Sequence, residues 1–135
     1  MDNCLFCKII KGEIPSEKVY EDDDFIAFLD INPVTPGHTL VVPKQHSDNV
    51  LDTDDEILEK MAKVLKKISH AVCQGLETQS FNLHQNSGKL SGQVVPHLHW
   101  HIVPRYEDDG LKIWPGKPYL EGEEKIVAEK IREAL

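Results

Sequence analysis

No stretch of this sequence approaches the roughly 20 consecutive apolar residues that a membrane-spanning helix needs; its longer apolar runs are of the size of Thr39–Pro43. No membrane partner is therefore expected. Basic residues are in the minority, 15 against 23 acidic, and the resulting net charge of −8 repels polyanions at long range. That makes a nucleic-acid polymer a poor partner. Cysteine is scarce, and an odd count of three does not suit a disulfide framework. The start, Met1-Asp2-Asn3-Cys4, lacks the basic-then-apolar layout of a secretory leader, so the expected compartment is the cytoplasm. Internal repeats and low-complexity linkers are missing too. What remains is 135 residues, 40% of them hydrophobic, enough to bury one core and too few to divide. The expectation is a single domain over residues 1–135.

Cys4 to Lys11 reads as a short helix closed by Gly12 and stopped by Pro15, with Cys4 and Cys7 at i and i+3 on one face. Lys18–Glu21 and Phe25–Leu29, separated by Asp22-Asp23-Asp24, form a hairpin pattern, and Thr39–Pro43 adds a third strand. Thr53-Asp54-Asp55-Glu56 has the form of a capping box. Ile57, Leu58, Met61, Val64, Leu65, Ile68 and Val72 follow at helical spacing until Gly75. Ser80–Gln85 and Val94–Val103 give strands four and five, and Glu121–Ala134 a last amphipathic helix. This order predicts an α+β fold, a five-stranded antiparallel sheet with one long helix and short flanking helices.

The densest chemistry lies in His97-Leu98-His99-Trp100-His101-Ile102-Val103. On a strand, alternation places the three imidazoles on one face, roughly 6–7 Å apart, and Leu98, Trp100 and Ile102 on the other. Three imidazoles are costly to bury unpaired, so their face should meet water, a metal or a ligand. Catalytic zinc sites also use His-x-His on strands, and the pattern alone does not choose between metal binding and nucleophilic chemistry. Before it runs Asn86 to Pro96, a loop rich in Gly and Ser whose backbone amides can approach an anion closely. It is not a Walker loop, because Gly88-Lys89 lacks the earlier glycine and a following helix. Taken alone, the loop also suits an ordinary hairpin connection.

On these residues the chain resembles the histidine-triad (HIT) superfamily, whose signature His-φ-His-φ-His-φ-φ, with φ apolar, is matched at all seven positions from His97 to Val103. Phe6 to Ile10, Ile14-Pro15, Phe28 to Pro33, Gly37 to Lys44 and Gly92-Gln93 extend the likeness over most of the chain. It is most similar to the Hint-like branch, particularly bacterial members with an amino-terminal Cys-x-x-Cys. The resemblance implies a HIT fold, a homodimer, and hydrolysis of purine nucleoside 5′-phosphoramidates or related phosphoanhydrides through a nucleotidyl-histidine. It makes His99 the nucleophile and gives His101, the Gly92, Gln93 and Val94 amides and Asn86 the phosphate oxygens. Asp30 is matched to the ribose hydroxyls, and Phe6, Ile9, Ile31 and Leu40 to the clamp around the purine. Read without the family, Asp30 is a turn carboxylate before Asn32-Pro33 and the apolar four are core. A dinucleoside-polyphosphate hydrolase, a non-catalytic adenylate sensor and a metal hydrolase using all three triad imidazoles are the competing readings. No catalytic metal or organic cofactor is implied.

Cys4 and Cys7 supply two thiolates where tetrahedral zinc needs four ligands. In zinc-bearing members of the superfamily, the positions matching His46 and His97 complete the set, which implies a structural zinc on Cys4, Cys7, His46 and His97. A redox Cys-x-x-Cys normally opens a helix after a strand, and no strand precedes this pair. His38 reads as a buried histidine bonded to its neighbours, His70 as surface, Cys73 as packing, and His84 has no assigned role. Relatives often carry Ser or Thr where this chain has Val94, which can offer only its amide, so the leaving group is left open.

Overall fold

A computed structural model describes residues 3–135; Met1 and Asp2, half of the polar start, lie outside the described residues. The strands are β1 (Lys18–Glu21), β2 (Phe25–Leu29), β3 (Thr39–Pro43), β4 (Ser80–Gln85) and β5 (Trp100–Arg105), joined antiparallel in the order β1-β2-β3-β5-β4. The helices are α1 (Leu5–Ile10), α2 (Asp55–Gly75) and α3 (Glu123–Ala134). Asp22 builds the first hairpin, its Oδ1 accepting from the amides of Asp24 at 2.8 Å and Phe25 at 2.7 Å.

The sheet is covered on both faces, so β3 is buried along its whole length rather than at alternate residues. Towards α2 it presents Phe25, Ala27, Val41 and Ile102, packed on Ile57, Met61, Val64, Leu65 and Ile68 of the helix. Burying each such aliphatic side chain is worth on the order of 1.5–3 kcal/mol. On the opposite face Ile26, Phe28, Leu40 and Val42 pack against Cys4 and Phe6 at α1. The long helix thus holds one face, and α1 shares the other with His101.

Two local expectations are corrected. The N-cap of α2 is Asp54, whose side chain makes no capping bond, and the Thr53 hydroxyl donates instead to the Asn49 carbonyl at 2.8 Å. The fifth strand begins at Trp100 rather than Val94, because β4 starts pairing with it only at Gln85↔Trp100. Upstream, the Leu98 amide donates to the Ser47 carbonyl at 2.8 Å and the His97 amide to the Val95 carbonyl at 2.9 Å, so His97 and His99 stand outside the ladder, after a bend at Val95–His97. Gly37 shapes the turn into β3. It has φ of +95°, and a Cβ there would lie 2.1 Å from Leu76 Cδ1, just beyond α2.

Candidate active site and metal centre

Backbone groups decide which nitrogen each triad histidine presents. A carbonyl oxygen can only accept, so an imidazole nitrogen bonded to one must carry the proton. His97 donates from Nε2 to the Pro43 carbonyl at 2.8 Å, which leaves its Nδ1 lone pair free. His99 donates from Nδ1 to the His97 carbonyl at 2.7 Å, leaving Nε2 free. At His38 the logic inverts: the Val34 amide donates to Nδ1 at 3.1 Å, so the neutral ring carries its proton on Nε2 and donates to His101 Nδ1 at 2.8 Å. His101 is thereby left with its proton on Nε2. Neighbouring rings of one residue type present a bare lone pair and an N–H respectively. Burial lowers the pKa of His38, His97 and His99, and that of His101 falls to about 3 through burial and then the adjoining imidazoles His99, His84 and His38. All four rings are neutral at pH 7.

The free Nδ1 of His97 faces two thiols and a second imidazole. It lies 3.3 Å from Cys4 Sγ, 3.6 Å from Cys7 Sγ and 3.2 Å from His46 Nδ1, and Cys7 Sγ is 3.4 Å from the same His46 atom. Ligands at ordinary zinc bond lengths around a tetrahedron stand about 3.3 Å apart for N and N and about 3.6 Å for N and S. The donor set fits in both type and spacing. Cys4 is also the N-cap of α1, accepting from the Cys7 amide at 3.4 Å, so the cap itself turns both sulfurs to one side. Asp48 Oδ1 accepts from His46 Nε2 at 3.3 Å, the usual support for a ligating imidazole. Burial, then Cys4, raises the Cys7 thiol pKa, an opposition that a cation would reverse. The three triad rings do not converge: among the described residues His97 groups with Cys4, Cys7 and His46, and His101 with Asp30 and His38.

Beside this centre lies a cavity of about 350 Å³. His99 and His101 meet it from the sheet, Phe6 and Ile9 from α1, Asp30 and Ile31 from the turn after β2, and Gly92 and Val94 from the loop. Phe6 stands edge-on to Phe28 at 5.5 Å and to His99 at 4.9 Å. Leu40 is buried beneath the cavity, while Ile31 and Val94, each 89% exposed, stand at its rim. Asp30 divides its oxygens, Oδ1 accepting from the Asn32 amide at 2.8 Å and Oδ2 lying 3.9 Å from His38 Nε2. Asn86 and Gln93 are not among the lining residues. The Gln93 side chain clasps the loop, accepting from the Gly88 amide at 2.8 Å and donating to the Val95 carbonyl at 3.2 Å.

The HIT domain profile matches residues 11–108. The chain belongs to the HIT family. It is 38% identical over 131 residues to the adenosine 5′-monophosphoramidase of Schizosaccharomyces pombe, covering 96% of each chain. A crystal structure of a HIT family protein from Bacillus subtilis superposes with a TM-score of 0.90 at 42% identity, covering 98% of this chain and 97% of the other. A Zn-bound histidine triad family protein from Mycobacterium smegmatis gives 0.78 at 36% identity, covering 99% of each.

Other parts of this HIT protein were not legible as site residues. Phe28, Ser16, Asn32 and Val95 also line the cavity, Phe28 because β2 is buried on both faces. His38 is buried and bonded to its neighbours as read from the sequence, but that the neighbour is His101 was not legible, nor was the stacking of His84 on the same ring with centroids 4.6 Å apart and planes 13° apart. The register pairing Gln85 with Trp100, which sets His84 opposite His101, is not visible in spacing. His70 is exposed and Cys73 half-buried.

Proposed function

We propose that this HIT protein is a nucleotide hydrolase or transferase acting on purine nucleoside 5′-phosphoramidates or related phosphoanhydrides. The observation that carries the reading is the His99 tautomer: Nδ1 is spent on the His97 carbonyl, and the ring that lines the cavity keeps an Nε2 lone pair. Lowered basicity keeps that ring unprotonated at neutral pH. Nε2 attacks the α-phosphorus, the bond from phosphorus to the leaving nitrogen or oxygen breaks, and the leaving group takes up a proton. Water then displaces Nε2 from phosphorus and frees the nucleoside monophosphate, splitting one displacement into two. The His101 Nε2–H donates to a non-bridging oxygen, and the amides of Gly92, Gln93 and Val94 with Asn86 add to that stabilisation. Asp30 Oδ2 accepts from ribose, while Phe6, Ile9, Ile31 and Leu40 hold the base. The S. pombe relative, a named adenosine monophosphoramidase, supports the substrate class.

Cys4, Cys7, His46 and His97 would hold a structural zinc ion, which keeps both thiols ionised and ties α1 to the triad segment. The Zn-bound neighbour supports that assignment. The protein works as a homodimer in the cytoplasm. Supporting the dimer, a groove of about 750 Å³ between α2 and β4 is lined by Leu58, Met61, Leu65, Phe81 and Trp100, and the buried Ser69 Oγ and Trp100 Nε1 have no partner among the described residues.

The test is intact-mass analysis after rapid quench with an adenosine phosphoramidate. A nucleotide adduct on the natural protein and none on His99→Ala is expected, with AMP binding kept in the variant. Hydrolysis retained by His99→Ala would defeat the assignment, and AMP binding without turnover by the natural protein would make it a sensor.

A further inference from the structure

His84 has no part in the chemistry above, yet it shapes the surroundings of His101. In the β4–β5 ladder it stands directly opposite His101, and β3 sets Leu40 opposite the same residue from the other side. Cross-strand partners share a face of the sheet, so His84 lies on the cavity side. Its ring is nearly parallel to that of His101, with the centroid separation of a stacked pair. The other constraints on His101 act differently: His38 holds Nδ1 through one hydrogen bond of 2.8 Å, and the His99 ring meets it at 61° with centroids 5.0 Å apart. Rotation about the terminal torsion of histidine is soft and roughly two-fold, and one hydrogen bond secures an edge without fixing the plane. A tilt of the ring out of its plane would bend the bond to His38 and swing the Nε2–H off the cavity. A flat neighbour at stacking distance is the contact that resists such a rotation.

We propose that His84 is a positioning residue, its imidazole stacked on His101 so that Nδ1 stays on His38 and the Nε2–H stays aimed at substrate phosphate. The place of His84 explains the residue type. β4 is an edge strand, and His84 is half-buried, lining a second cavity beside Asn82 and Arg105. A ring there needs a flat face inward and tolerance of water outward, and imidazole offers both. The low basicity of His101, to which the His84 ring contributes after burial and His99, agrees with a donor held neutral. This inference rests on the nucleotide-hydrolase reading for its catalytic consequence, but the ring geometry it asserts is independent of any substrate.

The experiment compares full-length His84→Val, which suits a strand but has no flat face, with His84→Phe, which keeps the face and removes the nitrogens. Thermal melting first establishes that each folds, and His84→Gln replaces the valine variant if that one does not. Long-range nitrogen–proton NMR of the unliganded proteins then reads the His101 tautomer, and steady-state kinetics with an adenosine phosphoramidate reads turnover. The natural protein and His84→Phe should show one Nε2–H tautomer at His101, and His84→Val a shift towards averaged ring nitrogens. The valine variant should lose roughly 10-fold in kcat with KM changed less than about two-fold, and phenylalanine should restore kcat to within about two-fold. An unchanged His101 spectrum and kcat in His84→Val, or a folded His84→Phe that fails to restore both, overturns the proposal. If the natural protein does not turn over the phosphoramidate, the hydrolase reading fails, and the NMR comparison still decides whether His84 fixes the ring.

Discussion

His97 and His99 stand two residues apart, both buried, and both bonded to a main-chain carbonyl, yet they face different chemistry. His97 spends Nε2 on Pro43 and offers Nδ1 to two sulfurs and His46. His99 spends Nδ1 on His97 and offers Nε2 to the cavity. Residue type and burial do not separate them. The difference is which ring atom the nearest carbonyl claims, so the role of a histidine is assigned by an atom outside the side chain.

The comparison can be broken most sharply at the proposed nucleophile. His99→Ala should lower kcat by at least about 10³-fold while zinc content by elemental analysis stays near one equivalent. Parallel loss of metal would show that the two sites are one. On the other side, Cys7→Ala should bring bound zinc close to zero and lower the thermal midpoint by about 10 °C or more. Should a chelator stop turnover at once with the circular dichroism unchanged, metal takes part in the chemistry and the division fails.

A smaller effect is expected at Gly37→Ala, which strains a left-handed position and drives a Cβ into Leu76. A loss of about 2–3 kcal/mol by urea unfolding is expected. Because Gly37 adjoins His38, the change should disturb the His101 ring signals and spare zinc content. Taken per residue and per pH unit, the smallest effect is that of pH on stability. His38, His84 and His101 have folded pKa values below the usual 6.5, so as pH falls the unfolded chain protonates first. Their stabilising contribution is complete above about pH 6.5 and declines below it, for His101 down to about 3. Each adds at most about 1.4 kcal/mol per pH unit to the slope. Urea midpoints between pH 7.5 and 4.5 should fall more gently in His101→Phe, and equal slopes would refute the assignment.

The helices and most strands were legible because their signals are local: Lys18–Glu21, Phe25–Leu29, Thr39–Pro43 and Ser80–Gln85 lie where alternation and turn residues put them. The start of β5 was not, since it depends on where a partner strand runs out, and the alternation of residue types carries on through a bend at Val95–His97 that it does not register. Proximity at the site was only partly readable. Cys4 and Cys7 share a face by helical spacing, but their meeting with His46 and His97 was implied by family likeness alone. The contact of His84 with His101 needs the β4–β5 register, a long-range quantity that composition and periodicity do not carry. Tautomers were further out of reach, because they follow from main-chain atoms whose positions exist only after folding.

One consequence follows from the brevity of α1. Its six residues bring Cys7 to the candidate metal centre and set Phe6 between the two sites, 6.0 Å from the His97 ring and 4.9 Å from the His99 ring. Roof and anchor are a single piece. A reagent that alkylates Cys7 would therefore unseat the ceiling over His99 without ever entering the chamber that this ring lines.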